Sequence, residues 1–554
     1  MMLADYLIQY LHQIGVTHVF GVSGANIEDI LDATVRIENS PRFILAKHEF
    51  CAGCMADGYS RVGRSLGVVM STSGGGALNL VPALGESLAS GQPVLAILGM
   101  PPENLEGKGA FQDSSGLNGS LPGEALFSTL ASKYFARIDS VEAFPAQLQQ
   151  AVSAALTPPF GTSILMIPKN LQTQLLSNPL FIKPKLPDSH FVLDAAVTET
   201  CLASRGSILL IAGEEIQRLG LEQELQELAE RLNALVALTP EAKSVYDNRR
   251  ERYLGVSGVA GHTSVTEAAE RCQTLLIIGT RLQLMSRLGL EPFLDSRQII
   301  YLNNSAPCHD FSSNPEKKII SHSLKQVMQQ LLQCLPMQEK RIPKHSSVRY
   351  EKTQYIETTA TQDLNFETIF QRLNGSIRNQ DLIFADAGNT GGAAVHYLNA
   401  AAYFGIALGM GGMGYALGAS IGACLQSGQR TWCLLGDGAL LMHGMEIHTA
   451  IQHRLPLRFL VFNNNAHAMC YDRDLLYLSG NNHFNLFEKS QFGAGMAQMF
   501  PGFYSHEVNS LDDLQSHLDK LEHYPLSALL SINLDYHELP PFVPFLERLR
   551  SMNL

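Results

Sequence analysis

Thr431-Trp432-Cys433-Leu434-Leu435-Gly436-Asp437-Gly438 and Leu457-Arg458-Phe459-Leu460-Val461-Phe462-Asn463-Asn464-Asn465 are two apolar runs that each end on small or polar residues. Between them, Leu440 to Gln452 contains a helix-forming stretch. A strand, helix, strand unit makes its strands parallel neighbours, and open α/β sheets bind ligands at the carboxyl ends of such strands. Asp437 and Asn464 stand at those two ends. Their side-chain oxygens form a hard pair that suits Mg²⁺, which needs few protein ligands when phosphate oxygens supply the rest. Gly436, Gly438 and Ala439 let backbone N–H groups approach a diphosphate where the helix begins.

The same alternation of apolar runs and helical stretches extends outward and predicts an α/β chain of three doubly wound parallel-sheet domains. In the first, residues 1–175, the runs Phe43 to Ala46, Gly67 to Met70, Val94 to Leu98 and Ser163 to Ile167 read as buried strands. Pro179 to Pro187 marks a linker. The second, 188–335, opens on the strand Ser207 to Ala212 and continues through Leu275 to Ile278. Pro336 to Gln362 is polar, carries Lys and Arg, shows no period, and reads as a second linker. The third, 363–554, starts at Asp381 to Asp386, and its Pro-bearing end beyond Asp535 reads as a tail placed to act as a lid. No short-period repeat is visible, although the first and third segments invite comparison as structural cousins.

A chain of 554 residues is too long for one core and accommodates three domains of ordinary size. Hydrophobic residues at 45% and charged ones at only 17% describe a well-buried globular protein. A net charge of −12 without a polybasic stripe argues against nucleic acid. No apolar run reaches the roughly 20 residues of a membrane span, and Met1 to Tyr6 lacks the basic start of a signal peptide. Nine Cys scattered from Cys51 to Cys470 make no disulfide framework in a chain of this size. A reduced, cytoplasmic protein with neither a nucleic-acid nor a membrane partner is the expectation.

Further motifs sit along the chain. They are Lys47-His48-Glu49 with Ala56-Asp57-Gly58-Tyr59-Ser60-Arg61, then Ser71-Thr72-Ser73-Gly74-Gly75-Gly76-Ala77-Leu78-Asn79, Ala110-Phe111-Gln112-Asp113 and Gly412-Met413-Gly414-Tyr415. With the Asp437/Asn464 pair, they resemble the thiamine diphosphate-dependent enzymes, closest in pattern to the large subunits of the acetolactate synthase group. The resemblance covers the whole chain, with the motifs in the family's order. It implies pyrimidine-binding, middle and diphosphate-binding domains, thiamine diphosphate and Mg²⁺ as cofactors, and at least a homodimer or homotetramer, because in this family the Glu and the metal-binding Asp meet across a subunit interface. It leaves open whether the middle domain also holds FAD; Gly213 resembles a nucleotide-fold turn.

By this resemblance, Glu49 bonds the cofactor's aminopyrimidine and drives removal of the thiazolium proton. Gly411 offers a backbone carbonyl to the pyrimidine amine, and Met413 wedges beneath the cofactor. Asp437, Asn464 and the Ala466 carbonyl hold the metal. Asn79, Gly388, Asn389, Thr390, Gly436, Gly438, Ala439, His467 and Met469 line the cofactor, and Phe111 and Gln112 face the substrate. The chain departs from the acetolactate synthase pattern at Gly75, where Pro is usual, at Asn389 and Thr390, and at Ala468, where Gly is common. It also has no His between His48 and His190, whereas simple 2-keto-acid decarboxylases carry adjacent His residues in this region. Protonation of the decarboxylated substrate is then less assisted, which favours capture by a second carbonyl.

The implied activity is decarboxylation of a 2-keto acid with carboligation, two pyruvates giving 2-acetolactate and CO₂. A 2-keto-acid decarboxylase or a carboligase on a larger substrate is the alternative. Gly409-Met410-Gly411-Gly412-Met413-Gly414 also satisfies the dinucleotide fingerprint, with Asp437 as the distant acid, so a flavin- or nicotinamide-dependent oxidoreductase is the rival from another class. Cys51 and Cys54 form a lone CxxC that reads as core filler, and His443, Glu446 and His448 miss the spacing of a zinc protease helix.

Overall fold

The computed structural model describes residues 1–177, 180–185, 191–337, 347–351, 354–355, 363–399, 403–481 and 483–541. Residues 179, 186 and 187 of the first expected linker, most of the second, and the residues beyond 541, Pro544 included, lie outside them. Three six-stranded parallel sheets carry the chain. The first contains β1 His18–Gly21, β2 Arg42–Leu45, β3 Gly67–Ser71, β4 Val94–Met100, β5 Tyr134–Arg137 and β6 Thr162–Pro168, in the order β2-β1-β3-β4-β6-β5. β3, β4 and β6 are buried along their whole length, which is why they appear in the sequence as unbroken apolar runs. β2 departs from the expectation of a buried strand. It lies at the sheet edge, and Arg42 and Leu45 are exposed along it.

The second sheet contains β7 Ile208–Ala212, β8 Leu235–Leu238, β9 Tyr253–Val256, β10 Thr274–Ile278, β11 Gln298–Asn303 and β12 Lys317–Ser321, ordered β12-β11-β10-β7-β8-β9. Read from the other edge, this is the dinucleotide-fold order. A short β13 Gln354–Tyr355 leads to the third sheet, which is made of β14 Leu382–Ala385, β15 Tyr403–Ile406, β16 Thr431–Gly436, β17 Leu457–Asn463, β18 Tyr504–Val508 and β19 Ala528–Asn533. Its order is β15-β14-β16-β17-β19-β18. The first and third sheets therefore share one topology, strand for strand. β20 Glu538–Leu539 pairs antiparallel with β13, so the start of the expected tail is tied down.

The chain forms two compact units. One joins Met1–Asp188 with Ala407–Thr431 and Ala439–Leu457. The other joins Ser189–Ile406 with Trp432–Gly438 and the chain from Arg458 onward. In the first unit the helices Glu49–Gly63 and Tyr415–Ser427 lie backbone against backbone. A Cβ on Gly58 would stand 2.1 Å from the Ala419 carbonyl oxygen, and one on Gly422 would stand 1.9 Å from that of Met55. Asp57, fully buried, accepts hydrogen bonds from Tyr415, from Ser87 at 2.7 Å and from Arg61. The Ala56 to Arg61 motif is thus a packing device whose buried charge is paired. Cys51 and Cys54 are buried and unbridged in the same helix.

In the second unit the helix Asn389–Tyr397 is anchored at its far end. His396 stacks on His262 at 4.3 Å, and His262 Nε2 meets the His396 carbonyl at 3.0 Å. Its near end carries Asn389 and Thr390.

Gly422→Ala tests the helix contact. Alanine improves helix propensity by about 1 kcal/mol, but its Cβ overlaps a carbonyl oxygen, and overpacking costs about 1–3 kcal/mol or more. The net expectation is a destabilised protein with a lower Tm in a thermal scan; an unchanged or higher Tm contradicts the contact.

Candidate active site

In the third sheet, strand order reverses between β14 and β16, the switch point at which open α/β sheets bind ligands. Gly388-Asn389-Thr390 leaves the end of β14, and Gly436-Asp437 leaves the end of β16. Asp437 opens a helix, Asp437–His443, that starts ahead of the stretch expected from sequence and breaks into a 3-10 turn, Gly444–Glu446, before Ile447–Gln452. The early start has a local cause, since Asp437 Oδ1 accepts the Gly438 N–H at 2.7 Å, within the first turn.

Asp437 Oδ2 and Asn464 Oδ1 converge on one donor, the Ala466 N–H, at 3.3 and 3.2 Å. Asn465, with φ +55°, turns the chain between them. An antiparallel bridge between Ala466 and Leu486 uses the Asn465 carbonyl and the His467 N–H. That pattern leaves the Ala466 N–H and C=O facing the other side, toward Asp437 and Asn464. Burial pushes the Asp437 carboxyl up to about 6, while the backbone N–H groups of Gly438, Asn465, Ala466 and Asn464 oppose the shift. Among the described residues it forms no ion pair, and no cluster of three or more His, Cys, Asp or Glu stands ready for a metal. One buried carboxylate, one amide oxygen and one carbonyl fit a hard dication whose remaining ligands come from a bound diphosphate.

The surrounding cradle is open. Gly388, at φ +94°, has no atom within 4 Å of the Cβ it lacks, and the nearest atom for Gly436 is Thr390 Oγ1 at 3.8 Å. Gly438 is closed off by His467, whose ring would lie 2.6 Å from an added Cβ and meets Phe487 edge-on at 4.7 Å. Ala439 is buried. Asn389 donates Nδ2 to Asp472 Oδ2 at 2.9 Å. Met469 packs against Val259 and Leu288.

The first compact unit gathers the other predicted residues. Glu49 opens its helix and accepts Asn79 Nδ2 at 3.0 Å, and its Oε1 lies 3.0 Å from where a Gly76 Cβ would stand. Gln112 holds a left-handed φ of +58°, accepts Thr72 Oγ1 at 3.0 Å and lies against Gly74, itself at φ +63°. A left-handed Gln is a strained backbone, and such strain concentrates at ligand sites. Phe111 beside it is 76% exposed. The loop with Gly411 and half-buried Met413 also belongs here; the Phe50 ring is 3.5 Å from the Gly412 Cβ position.

Three residues missed by the sequence reading matter to this arrangement. Glu86 accepts the Gly409 and Met410 N–H groups at 3.3 and 2.7 Å and holds the glycine loop. His443 stacks on Phe50 at 4.6 Å and fills the space beneath Gly414. Asp472 anchors Asn389. Only contacts distant in sequence reveal them. The glycine run follows β15, an edge strand, whereas a dinucleotide fingerprint follows a strand at the switch point, which removes the physical basis of the oxidoreductase rival.

The middle sheet has its own switch point, between β7 and β10. A Cβ on Gly213 would stand 2.3 Å from Thr280, and the next two residues, Glu214 and Glu215, are buried carboxylates at the start of a five-residue helix.

Comparison with known proteins gives the family. The family models of the thiamine pyrophosphate enzymes match residues 1–118 (N-terminal TPP binding domain), 198–331 (central domain) and 386–532 (C-terminal TPP binding domain). The chain belongs to the thiamine pyrophosphate enzyme family. It is 24% identical to the acetolactate synthase isozyme 1 large subunit of Escherichia coli, over 98% of this chain and 95% of that one. It is 26% identical to the acetolactate synthase large subunit of Haemophilus influenzae, over 93% and 91%. A Bacillus subtilis protein named as thiamine pyrophosphate-containing, YdaP, is 25% identical over 84% of this chain and 80% of its own.

Asp437→Ala removes the one charged donor of the candidate metal site. Its affinity for thiamine diphosphate with Mg²⁺, read by calorimetry, should fall by more than the ~10–100-fold that outer-sphere changes cost; wild-type affinity excludes a metal role for Asp437.

Proposed function

We propose that the protein decarboxylates a 2-keto acid and joins the remaining fragment to a second carbonyl, with thiamine diphosphate and Mg²⁺ as cofactors and pyruvate as both donor and acceptor, giving 2-acetolactate. The observation that carries the reading is the convergence of Asp437 and Asn464 on Ala466 at the switch point. Thiamine diphosphate, when bound, supplies a carbon that becomes nucleophilic on losing its proton and a ring that accepts the electron pair released with CO₂.

The chain's own residues do the rest. Asp437, Asn464 and the Ala466 carbonyl hold the metal, and the backbone of Gly436 to Ala439 with Gly388 to Thr390 grips the diphosphate. Glu49 accepts and holds a proton at its carboxylate, kept in orientation by Asn79. Gly411 and Met413 support the cofactor, with Glu86 fixing their loop. Gln112 orients the donor keto acid, and exposed Phe111 offers an apolar face to the acceptor. The absence of His between His48 and His190 supports carboligation over simple protonation. The domain limits 1–175, 188–335 and 363–554 belong to this reading, as does assembly into a homodimer or homotetramer. Exposed Met410, Leu441, Met442 and Met445 in the first unit support assembly. Nine unbridged Cys support a reduced, cytoplasmic setting.

A second reading, a decarboxylase or carboligase acting on a larger 2-keto acid, is favoured by the Asn389–Asp472 pair at a position where the acetolactate synthase pattern differs.

Incubation with thiamine diphosphate, Mg²⁺ and a panel of 2-keto acids, with products identified by mass, separates the readings. Acetolactate from pyruvate is expected; an aldehyde or a larger ligation product favours the second reading, and no turnover of any 2-keto acid contradicts both. Glu49→Gln should keep the cofactor and lose on the order of 10²–10⁴-fold in turnover; wild-type turnover contradicts the role of Glu49.

A further inference from the structure

Asp472 lies on the helix Ala468–Tyr477, which leaves the Asn464–Met469 loop, and is fully buried. Its one described hydrogen bond is from Asn389, on the far side of the cradle, so this single contact ties the diphosphate loop to the metal loop. Two oxygens of the pair, Asp472 Oδ1 and Asn389 Oδ1, are buried and have no hydrogen-bond partner among the described residues. A buried polar atom without a partner is costly, and a buried carboxylate without a cation more so.

Among the described residues no cation compensates Asp472. From β20 the group facing it is Glu538, itself buried, with Asp535 and Glu367 acting on Glu538 in turn. On its own helix Arg473 is exposed and Asp474 is buried. A bound diphosphate beside Asn389 would add further negative charge.

We infer that Asp472 is a positioning residue of the cofactor site that acts as a neutral carboxylic acid, so that cofactor binding takes up one proton from solvent. The inference rests on the reading of Gly388 to Thr390 as a diphosphate loop. In the acid form the Asp472 O–H has a proton to give. A half-turn of the Asn389 amide then sets its Oδ1 against that proton and presents Nδ2, a donor, to a ligand oxygen. Burial already pushes the Asp472 carboxyl up to about 7, with the Asn389 bond opposing the shift, and Glu538 up to about 8. A group with a raised pKa is protonated below that value and ionised above it, so affinity should fall as pH rises past about 7.

The test is the dissociation constant of thiamine diphosphate at saturating Mg²⁺ between pH 7 and 9, on the full-length protein. Wild type should lose affinity by about tenfold per pH unit, the slope for one proton. Asp472→Asn, isosteric and neutral, should bind with little slope and with affinity near that of wild type at pH 7. Glu538→Gln should keep the wild-type slope. Calorimetry of wild type at pH 8 in two buffers of different ionisation enthalpy gives a second readout that needs no variant, and should show uptake of about one proton. A flat wild-type profile, no proton uptake, or a wild-type slope in Asp472→Asn overturns the inference while leaving the cofactor reading intact. Absence of cofactor binding at every pH overturns both.

Discussion

One desolvated carboxylate, Asp437, sets the terms for the third sheet and the loops at its switch point. It follows a strand buried through Leu435, it is answered by backbone N–H groups and by no ion pair among the described residues, and it shares the Ala466 N–H with Asn464. Withdrawing a carboxylate from water costs several kcal/mol unless a charge compensates it. The fold accepts that cost at the switch point of a parallel sheet, where backbone dipoles converge and a ligand can supply the missing cation. Glycines at Gly388 and Gly436 keep the cradle open, and Asn465 takes a left-handed turn so that the loop can return to it.

A related logic operates on an identical topology. The first sheet repeats the strand order of the third, and its switch point carries the Gly74 to Asn79 loop against which Glu49 and Gln112 are held. What differs is the chemistry placed there, a carboxylate steadied by an amide and a strained Gln where the third sheet has the buried Asp437 beside open glycines. Two copies of one architecture thus present complementary chemistry.

Much of this was legible in the sequence, for identifiable reasons. Fully covered parallel strands leave unbroken apolar runs, so β3, β4, β16 and β17 could be read directly. β2 was misread because its short apolar stretch belongs to a half-exposed edge. The convergence of Asp437 and Asn464 at neighbouring strand ends was legible because polar residues that no core requires follow both apolar runs. The Ala56 to Arg61 motif was recognised, yet its reason was not, since Asp57 pairs with Tyr415 and Ser87 only in three dimensions. Glu86, His443 and Asp472 left no local signal, because each acts on a loop or side chain far away in the chain. The helix start at Asp437 was also missed, because a carboxylate bonding the next N–H is invisible to periodicity.

The most direct measurement of the central claim is the metal dependence of cofactor binding by the wild-type protein. Thiamine diphosphate titrated with Mg²⁺ present should bind one cofactor per chain, and chelation of divalent metal should abolish that binding and restored Mg²⁺ recover it. Binding of equal affinity with and without divalent metal would contradict the assignment of Asp437, Asn464 and Ala466 as the anchor of the site.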